Sequence, residues 1–332
     1  MLTFITLFLL VLLILGHEFG HFLAAKISNV KVDEFGVGFP PRLLGKKIGE
    51  TLYSLNLLPF GGFVKIHGDD HTKKVVEDSN RSFDTQPYWK KAWIILAGVL
   101  MNFLIGWLTF SAVLYIGIPE GVVVTDIAPD SPAFEAGLEP RDMLEGFEST
   151  DAFISFVNAN IGKEITINGK TLIPREDHPE GEGALGVVVT DTGLKANGII
   201  ESLWLGFTNA LTTFGAIFVA LSGFLWGALT GNFETLSQVS GPVGVFNVVR
   251  QAGELGAVYL MQLLGLISLN LAVLNLIPFP ALDGGRLLFI SLRKLFGEKI
   301  FTHKIEVIVN VTGFALLLLL MIVVTYKDIV NF

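Results

Sequence analysis

The stretch Gly16-His17-Glu18-Phe19-Gly20-His21 lies in an apolar run that begins at Met1 and meets no basic residue until Lys26. On a helix, the HExxH spacing sets two histidines at i and i+4, one above the other on one face. Both imidazoles can then reach one Zn²⁺, and the glutamate between them can activate an attacking water. No charged residue occurs in the sixteen positions before His17. An ionisable group inside such a segment costs about 3 kcal/mol, so it marks a functional site by default. The solvated-face explanation that serves for HExxH on a soluble helix is absent here.

Composition supports a membrane setting. The 332 residues are 51% hydrophobic and 16% charged, with 27 phenylalanines, against about 25% charged in a soluble domain. The mean hydropathy is +0.61. With no cysteine in the chain, disulfides and thiolate ligands are excluded, so a metal must be held by His, Asp or Glu. The N-terminus has no basic n-region, and cleavage after Ala24-Ala25 would remove the motif, so it does not read as a signal peptide.

Outward from the motif, residues 1–25 form a first span. Residues 26–91 are a polar connection with eleven Lys/Arg against eight Asp/Glu. Within it, residues 53–66 (YSLNLLPFGGFVKI) are apolar and partly alternating, broken by Pro59, Gly61 and Gly62. They read either as a re-entrant, β-hairpin-like loop dipping toward the membrane or as an ordinary cytoplasmic hairpin. Gly61 and Gly62 suit a tight reversal, and the residues before Pro59, Leu57 among them, can present a hydrogen-bonding edge. A second span runs from about Ala92 to Ile118. Residues 119–200 hold fifteen Asp/Glu against five Lys/Arg and carry β-rich pieces such as Gly121–Ile127 and Gly186–Thr190. They form a small soluble domain. The positive-inside bias sets 26–91 in the cytoplasm, this acidic domain outside, and 284–308, with five Lys/Arg and two Glu, inside.

Residues 203–229, 256–282 and 308–326 are further apolar stretches. If 203–229 crossed, residue 283 would emerge outside, away from the histidines. Read as an interfacial or re-entrant helix, 203–229 leaves residue 283 on the cytoplasmic side, in agreement with the basic loop. The expectation is an α-helical polytopic protein of four spans. Its parts are 1–118, with the HEFGH span, the loop and the second span; an extracytoplasmic domain at 119–192; an interfacial helix and linker at 193–255; and 256–332.

Asn270-Leu-Ala-Val-Leu-Asn275-Leu-Ile-Pro278-Phe-Pro280-Ala-Leu-Asp283-Gly284-Gly285 ends the third span. Two prolines break the helix, and paired glycines let backbones approach. A catalytic zinc takes three protein ligands, and two histidines leave it one short. His67, His71, His178 and His303 all fall in polar connections, whereas Asp283 is the acidic residue of its span. Asp283 is therefore the candidate third ligand. The other reading is an aspartate that caps the next segment, as Asp-Gly-Gly sequences do.

A GHEFGH motif in the first span, with NxxPxxxxDGG in a later one, resembles the site-2 protease family of intramembrane zinc metalloproteases, of the bacterial regulator-of-sigma-E type. The likeness extends through Gly36–Pro40, Leu58–Lys65 and Ser240–Gly244, and so covers nearly the whole chain. It implies zinc held by His17, His21 and Asp283, with Glu18 as base. It implies that 53–66 pairs with an unwound substrate as an added strand, and that Asn270 and Asn275 hold substrate backbone near the metal. The span Asp130–Asp142 resembles a PDZ domain, with Arg141 where glycine is usual and Glu-Gly-Phe-Glu-Ser (145–149) where a Val-Asn-Gly-like strand end is expected. Such a domain captures peptides or screens out bulky substrate ectodomains.

The expected activity is hydrolysis of peptide bonds in or near transmembrane segments, as in regulated intramembrane proteolysis at a bacterial inner membrane. The expected partners are single-pass substrates such as anti-sigma-factor-like proteins, and the lipid bilayer; no nucleic-acid partner is expected. The active site would face the cytoplasmic side. The competing readings are a non-catalytic PDZ scaffold, and a zinc-binding transporter with polar groups spread along several spans.

Overall fold

A computed structural model describes residues 2–69, 79–179, 182–230, 241–297 and 300–330. The chain divides into two compact units, Met1–Ser111 with Leu203–Phe332, and Ala112–Ser202. Among the described residues five helices are long and apolar enough to cross a membrane: Phe8–Ile27, Tyr88–Ile116, Ile199–Gly227, Ala257–Leu276 and Lys304–Val330.

In the larger unit, α1 (Leu2–Ile27) and α2 (Tyr88–Ile116) run antiparallel. Gly20 of α1 packs on the Ala97 carbonyl of α2, and Gly16 faces Ile105. Small residues let the backbones approach where lipid supplies no hydrophobic drive. The link from α1 to α2 carries β1 (Val32–Ile48) and β2 (Thr51–Ile66). Each strand bends, β1 after Gly38 (φ +76°) and β2 before Gly61 (φ +86°), so the pair makes four runs. Residues 44–48 pair with 51–55 across the Gly49-Glu50 turn. Residues 34–37 pair with 62–65 on one side and, in ascending register, with 52–55 on the other. The run 62–66 therefore lies at an edge, and Gly62 packs on Leu15 of α1. Phe22 of α1 covers Phe35 and Tyr53. Ala24, Ala25, Val30, Val32, Ile66, Ile94 and Ile95 close the core around this junction.

Three further helices follow in this unit, α6 (Pro242–Leu255), α7 (Ala257–Leu276) and α8 (Asp283–Phe296), and then α9 (His303–Val330). On α7, Ser268 donates to the Asn102 carbonyl, Leu269 meets Gly106, and Gly265 meets Phe110, so α7 is antiparallel to α2. α9 starts beside the loop after α7, where Asn310 accepts from Ala281 N and Gly313 packs on Pro280. At its far end Asp328 accepts from Gly244 N at 2.8 Å. The turn opening α6 thus sits at the end of the bundle where α2 finishes. Ser240, the first residue of that motif, and the rest of 231–240 lie outside the described residues.

α5 (Ile199–Thr230) enters at the same end. Leu203 O accepts from Trp107 Nε1 at 2.9 Å, Phe207 meets Trp107 and Phe103, and Phe214 meets Phe103. The first half of α5 therefore packs antiparallel beside the later half of α2.

The third span is shorter than the 256–282 expected from hydropathy. Ile277, which precedes Pro278, is extended (φ −63°, ψ 137°) and ends α7 at Leu276, because proline disfavours helix in the residue before it. Asp283 consequently belongs to α8, not to the spanning helix.

The smaller unit contains β3 (Ile118–Ile127), α3 (Pro132–Glu135), β4 (Met143–Leu144), α4 (Thr150–Ala159), β5 (Ile165–Ile167), β6 (Lys170–Leu172) and β7 (Val187–Leu194). The sheet order is β4-β3-β7, with β5-β6 a separate hairpin. Asn168 and Gly169 turn that hairpin with positive φ at both positions, as a two-residue turn requires. Val122, Val124, Leu144, Phe153, Ile167 and Leu185 form its core.

Candidate metal centre

The i, i+4 spacing on α1 stacks His17 and His21 on one face, with ring centroids 4.7 Å apart. Both are nearly buried, at 8% and 9% exposure. Asp283, 262 residues further on, brings Oδ2 to 2.9 Å from His17 Nε2 and 3.1 Å from His21 Nε2, and the two Nε2 atoms are 3.1 Å apart. Tetrahedral zinc with bonds of ~2.0–2.1 Å separates its ligand atoms by about 3.3 Å. Two imidazole nitrogens and one carboxylate oxygen at this spacing fit zinc, a borderline metal that accepts both donor types. They are the one cluster of three or more metal donors among the described residues.

Asp283 reaches the histidines because α7 stops early. The chain turns back after Pro278, Ala281 adopts φ +73°, and α8 begins at Asp283. Gly284 packs against the Leu276 and Ile277 carbonyls and Gly285 against that of Phe279, where a Cβ would collide. The capping alternative fails on geometry. The N-cap is Leu282, which makes no side-chain capping hydrogen bond, and Asp283 is the first helical residue.

Glu18 Oε2 accepts from Val64 N at 3.0 Å, so the edge run 62–66 is pinned to the residue between the histidines. His21 Nδ1 lies 2.8 Å from Ile94 O, and His17 Nδ1 lies 3.2 Å from the Asn102 amide. A cavity of about 100 Å³ opens onto His17, Glu18, His21 and Asp283, bounded also by Val64, Asp69, Phe83, Ile94 and Arg286. Arg286 pairs with Asp69. Burial alone would lower the guanidinium pKa, but Asp69, Asp283 and Glu306 raise it overall, so the group stays charged.

The residues expected to bind substrate occupy different surroundings. Leu57, 52% exposed, stands at the bend of β2, whereas the run that reaches Glu18 is 62–66. Gly61 and Gly62 begin that run. Asn270 donates to Leu266 O one turn back on its own helix, and Asn275 is half-buried near the end of α7. None of the five lines the cavity. Of the other histidines, His67 pairs with Asp33, and His71 lies outside the described residues. Sequence reading missed Gly98, Asn102, Asp69 and Arg286. Asn102 carries a signal, as a lone amide in an apolar span, and Arg286 lies three residues after Asp283 on the same helical face.

The family model of peptidase family M50 matches residues 5–320. A protein of Clostridium acetobutylicum, named as a candidate zinc metalloprotease, is 34% identical over 96% of this chain and 94% of its own length. The regulator of sigma-W protease RasP of Bacillus subtilis is 28% identical over 96% of this chain and 95% of its own. The zinc metalloprotease RasP of Geobacillus kaustophilus is 28% identical over 96% of both chains.

Proposed function

The chain belongs to peptidase family M50, zinc metalloproteases of the site-2 type, and on that premise we propose that His17, His21 and Asp283 hold its catalytic Zn²⁺. Glu18 is the base, and the substrate is a peptide bond in or beside a transmembrane segment. The carrying observation is the convergence of three donor atoms, from residues 262 positions apart, within 3.1 Å. Bound there, zinc supplies a Lewis acid for the scissile carbonyl and lowers the pKa of the attacking water toward ~7. Glu18 takes the proton of that water and delivers it to the leaving amine as the C–N bond breaks. Its carboxylate is aimed by the Val64 N–H.

A helical substrate carbonyl is sheathed by its own hydrogen bond, so the substrate unwinds before cleavage. The edge run 62–66 beside Glu18 offers main-chain partners for the unwound segment. Leu57, Gly61 and Gly62 shape the approach to that edge, and Asn270 and Asn275 hold substrate backbone. The exposed Phe39, Leu43, Leu44, Leu57 and Leu58 at the bends of both strands suit a loop that dips into the membrane.

The protein is a multi-pass membrane protein, and we read four of its helices as spans. α5 and α6 both begin at the end of the bundle where α2 finishes. If α5 crossed, residues 231–240 would have to return through about 30 Å of hydrocarbon. Ten extended residues reach ~36 Å at most, with every backbone group unpaired in lipid. An α5 held at the outer interface, or entering the membrane only partway, avoids this. With the positive-inside bias of the basic connections, we read the metal centre as facing the cytoplasm of a bacterial inner membrane. The 119–192 region lies outside as a PDZ-like domain that captures peptides or screens out bulky ectodomains. The name of the Bacillus subtilis relative, regulator of sigma-W protease, points to anti-sigma-factor-like membrane proteins as the substrate class.

The test is zinc content and cleavage of a single-pass substrate by purified protein. Glu18→Gln should lower cleavage by about 10²–10⁴-fold with zinc retained. Asp283→Ala should lose both. Full cleavage by Glu18→Gln, or full zinc in Asp283→Ala, would refute these roles.

A further inference from the structure

One face of α2 packs on the two histidines of the metal centre. Gly98 and Asn102 lie one turn apart on it. A Cβ at Gly98 would stand 2.5 Å from His21 Nε2 and 2.6 Å from His17 Cε1, so glycine is what leaves both rings in place. Asn102 is fully buried, and Ser268 of α7 holds its main-chain carbonyl at 2.8 Å.

The Asn102 amide is placed with Nδ2 toward His17 Nδ1, 3.2 Å away, and with Oδ1 buried and unpartnered. An orphaned buried acceptor costs about 1–3 kcal/mol. A ligating Nε2 carries no proton, so the ring proton of a metal-binding His17 sits on Nδ1 and needs an acceptor. An NH₂ cannot accept it. The two ends of a carboxamide are nearly the same shape, and the hydrogen-bond network decides between them. The unpartnered Oδ1 is the acceptor that this proton requires. His21 has the same arrangement, with Nδ1 directed at Ile94 O on the same helix.

We propose that Asn102 is a positioning residue for the zinc centre: its Oδ1 accepts Nδ1–H of His17 and fixes the tautomer and ring orientation whose Nε2 binds the ion. This rests on the ligation by His17 proposed above. Asn102 touches neither substrate nor metal; it acts through His17.

The discriminating variants are Asn102→Asp, which offers only acceptors, and Asn102→Leu, which offers none at similar volume. Zinc affinity is measured by chelator competition on the purified full chain, with thermal unfolding of the same samples. Outer partners of metal ligands are worth about 10–100-fold in affinity, so Asn102→Leu should bind zinc that much more weakly. Asn102→Asp should stay within about threefold of wild type, since a carboxylate also serves as the acceptor. Wild-type affinity in Asn102→Leu overturns the proposal. So does equal loss in both variants, which would make the amide a donor or a space-filler. If Asn102→Leu does not fold, a folded Asn102→Asp that has lost zinc affinity overturns it alone. His17→Ala separates the two levels: undiminished zinc there rejects the metal centre itself, and Asn102 with it.

Discussion

At the residue scale, two side chains outside the metal centre make measurable claims. Glu50, in the turn between β1 and β2, lies 2.7 Å from Lys26 Nζ and 2.7 Å from Arg81 Nη1. Hydrogen bonds from Arg81, then Lys26, hold its carboxyl at about 2, below its ordinary 4.5. A depressed pKa gives stability that is present above the unfolded value and lost as pH falls through the folded one. Glu50→Gln should therefore unfold at lower denaturant concentration at pH 7, and its gap to wild type should close between pH 4.5 and about 2. A gap that ignores pH would assign the loss to shape. Arg141 occupies φ +84° where the PDZ-like pattern has glycine. An L side chain there costs about 1–2 kcal/mol, and glycine's extra unfolded freedom returns ~0.5–1. Arg141→Gly should stabilise the 112–202 unit by about 0.5–1 kcal/mol, read as greater hydrogen-exchange protection of β3 and β7. Unchanged protection would contradict that strain.

At the element scale, the edge run 62–66 links the sheet to the chemistry. Val64 N–H points to Glu18, so the neighbouring N–H groups alternate between β1 and the free edge. Proline at Val64 removes that donor on an edge, where proline is tolerated. Cleavage by Val64→Pro should fall at least about tenfold with zinc still bound, and Val64→Ala should cost much less. Equal activity of the two would detach Glu18 from the strand. Leu57→Pro, at the exposed bend, should be milder than Val64→Pro.

At the scale of the whole molecule, topology is testable because the chain has no cysteine. A cysteine at Ser149 should react with an impermeant thiol reagent from outside, and one at Lys47 only after permeabilisation. A cysteine at Thr230, the exposed last residue of α5, should also label from outside. Labelling there only after permeabilisation would make α5 a fifth span, and the four-span reading would fall.

HExxH in an uncharged run determined by itself that two imidazoles share a helical face, because that spacing is a property of any α-helix. Hydropathy located helices long and apolar enough to span, because that signal is summed over many residues, and the basic loops supplied the expected orientation. The prolines and glycines of Pro278–Gly285 announced a break with close backbone contact. They could not say where the helix would stop, and α7 ends six residues before the hydropathy does, at Leu276. Whether Asp283 caps a helix or meets two histidines was open in one dimension. The early stop, the return of the chain and the packing of Gly284 and Gly285 decided it. The same holds for the edge that reaches Glu18, which is 62–66 because both strands bend and re-pair. Asn102 stands out as a lone amide in an apolar span, but its contact with His17, and that of Gly98 with both rings, came only from the packing of α2 on α1. Contacts between residues tens to hundreds of positions apart depend on how helices cross, and no local pattern in the sequence encodes that.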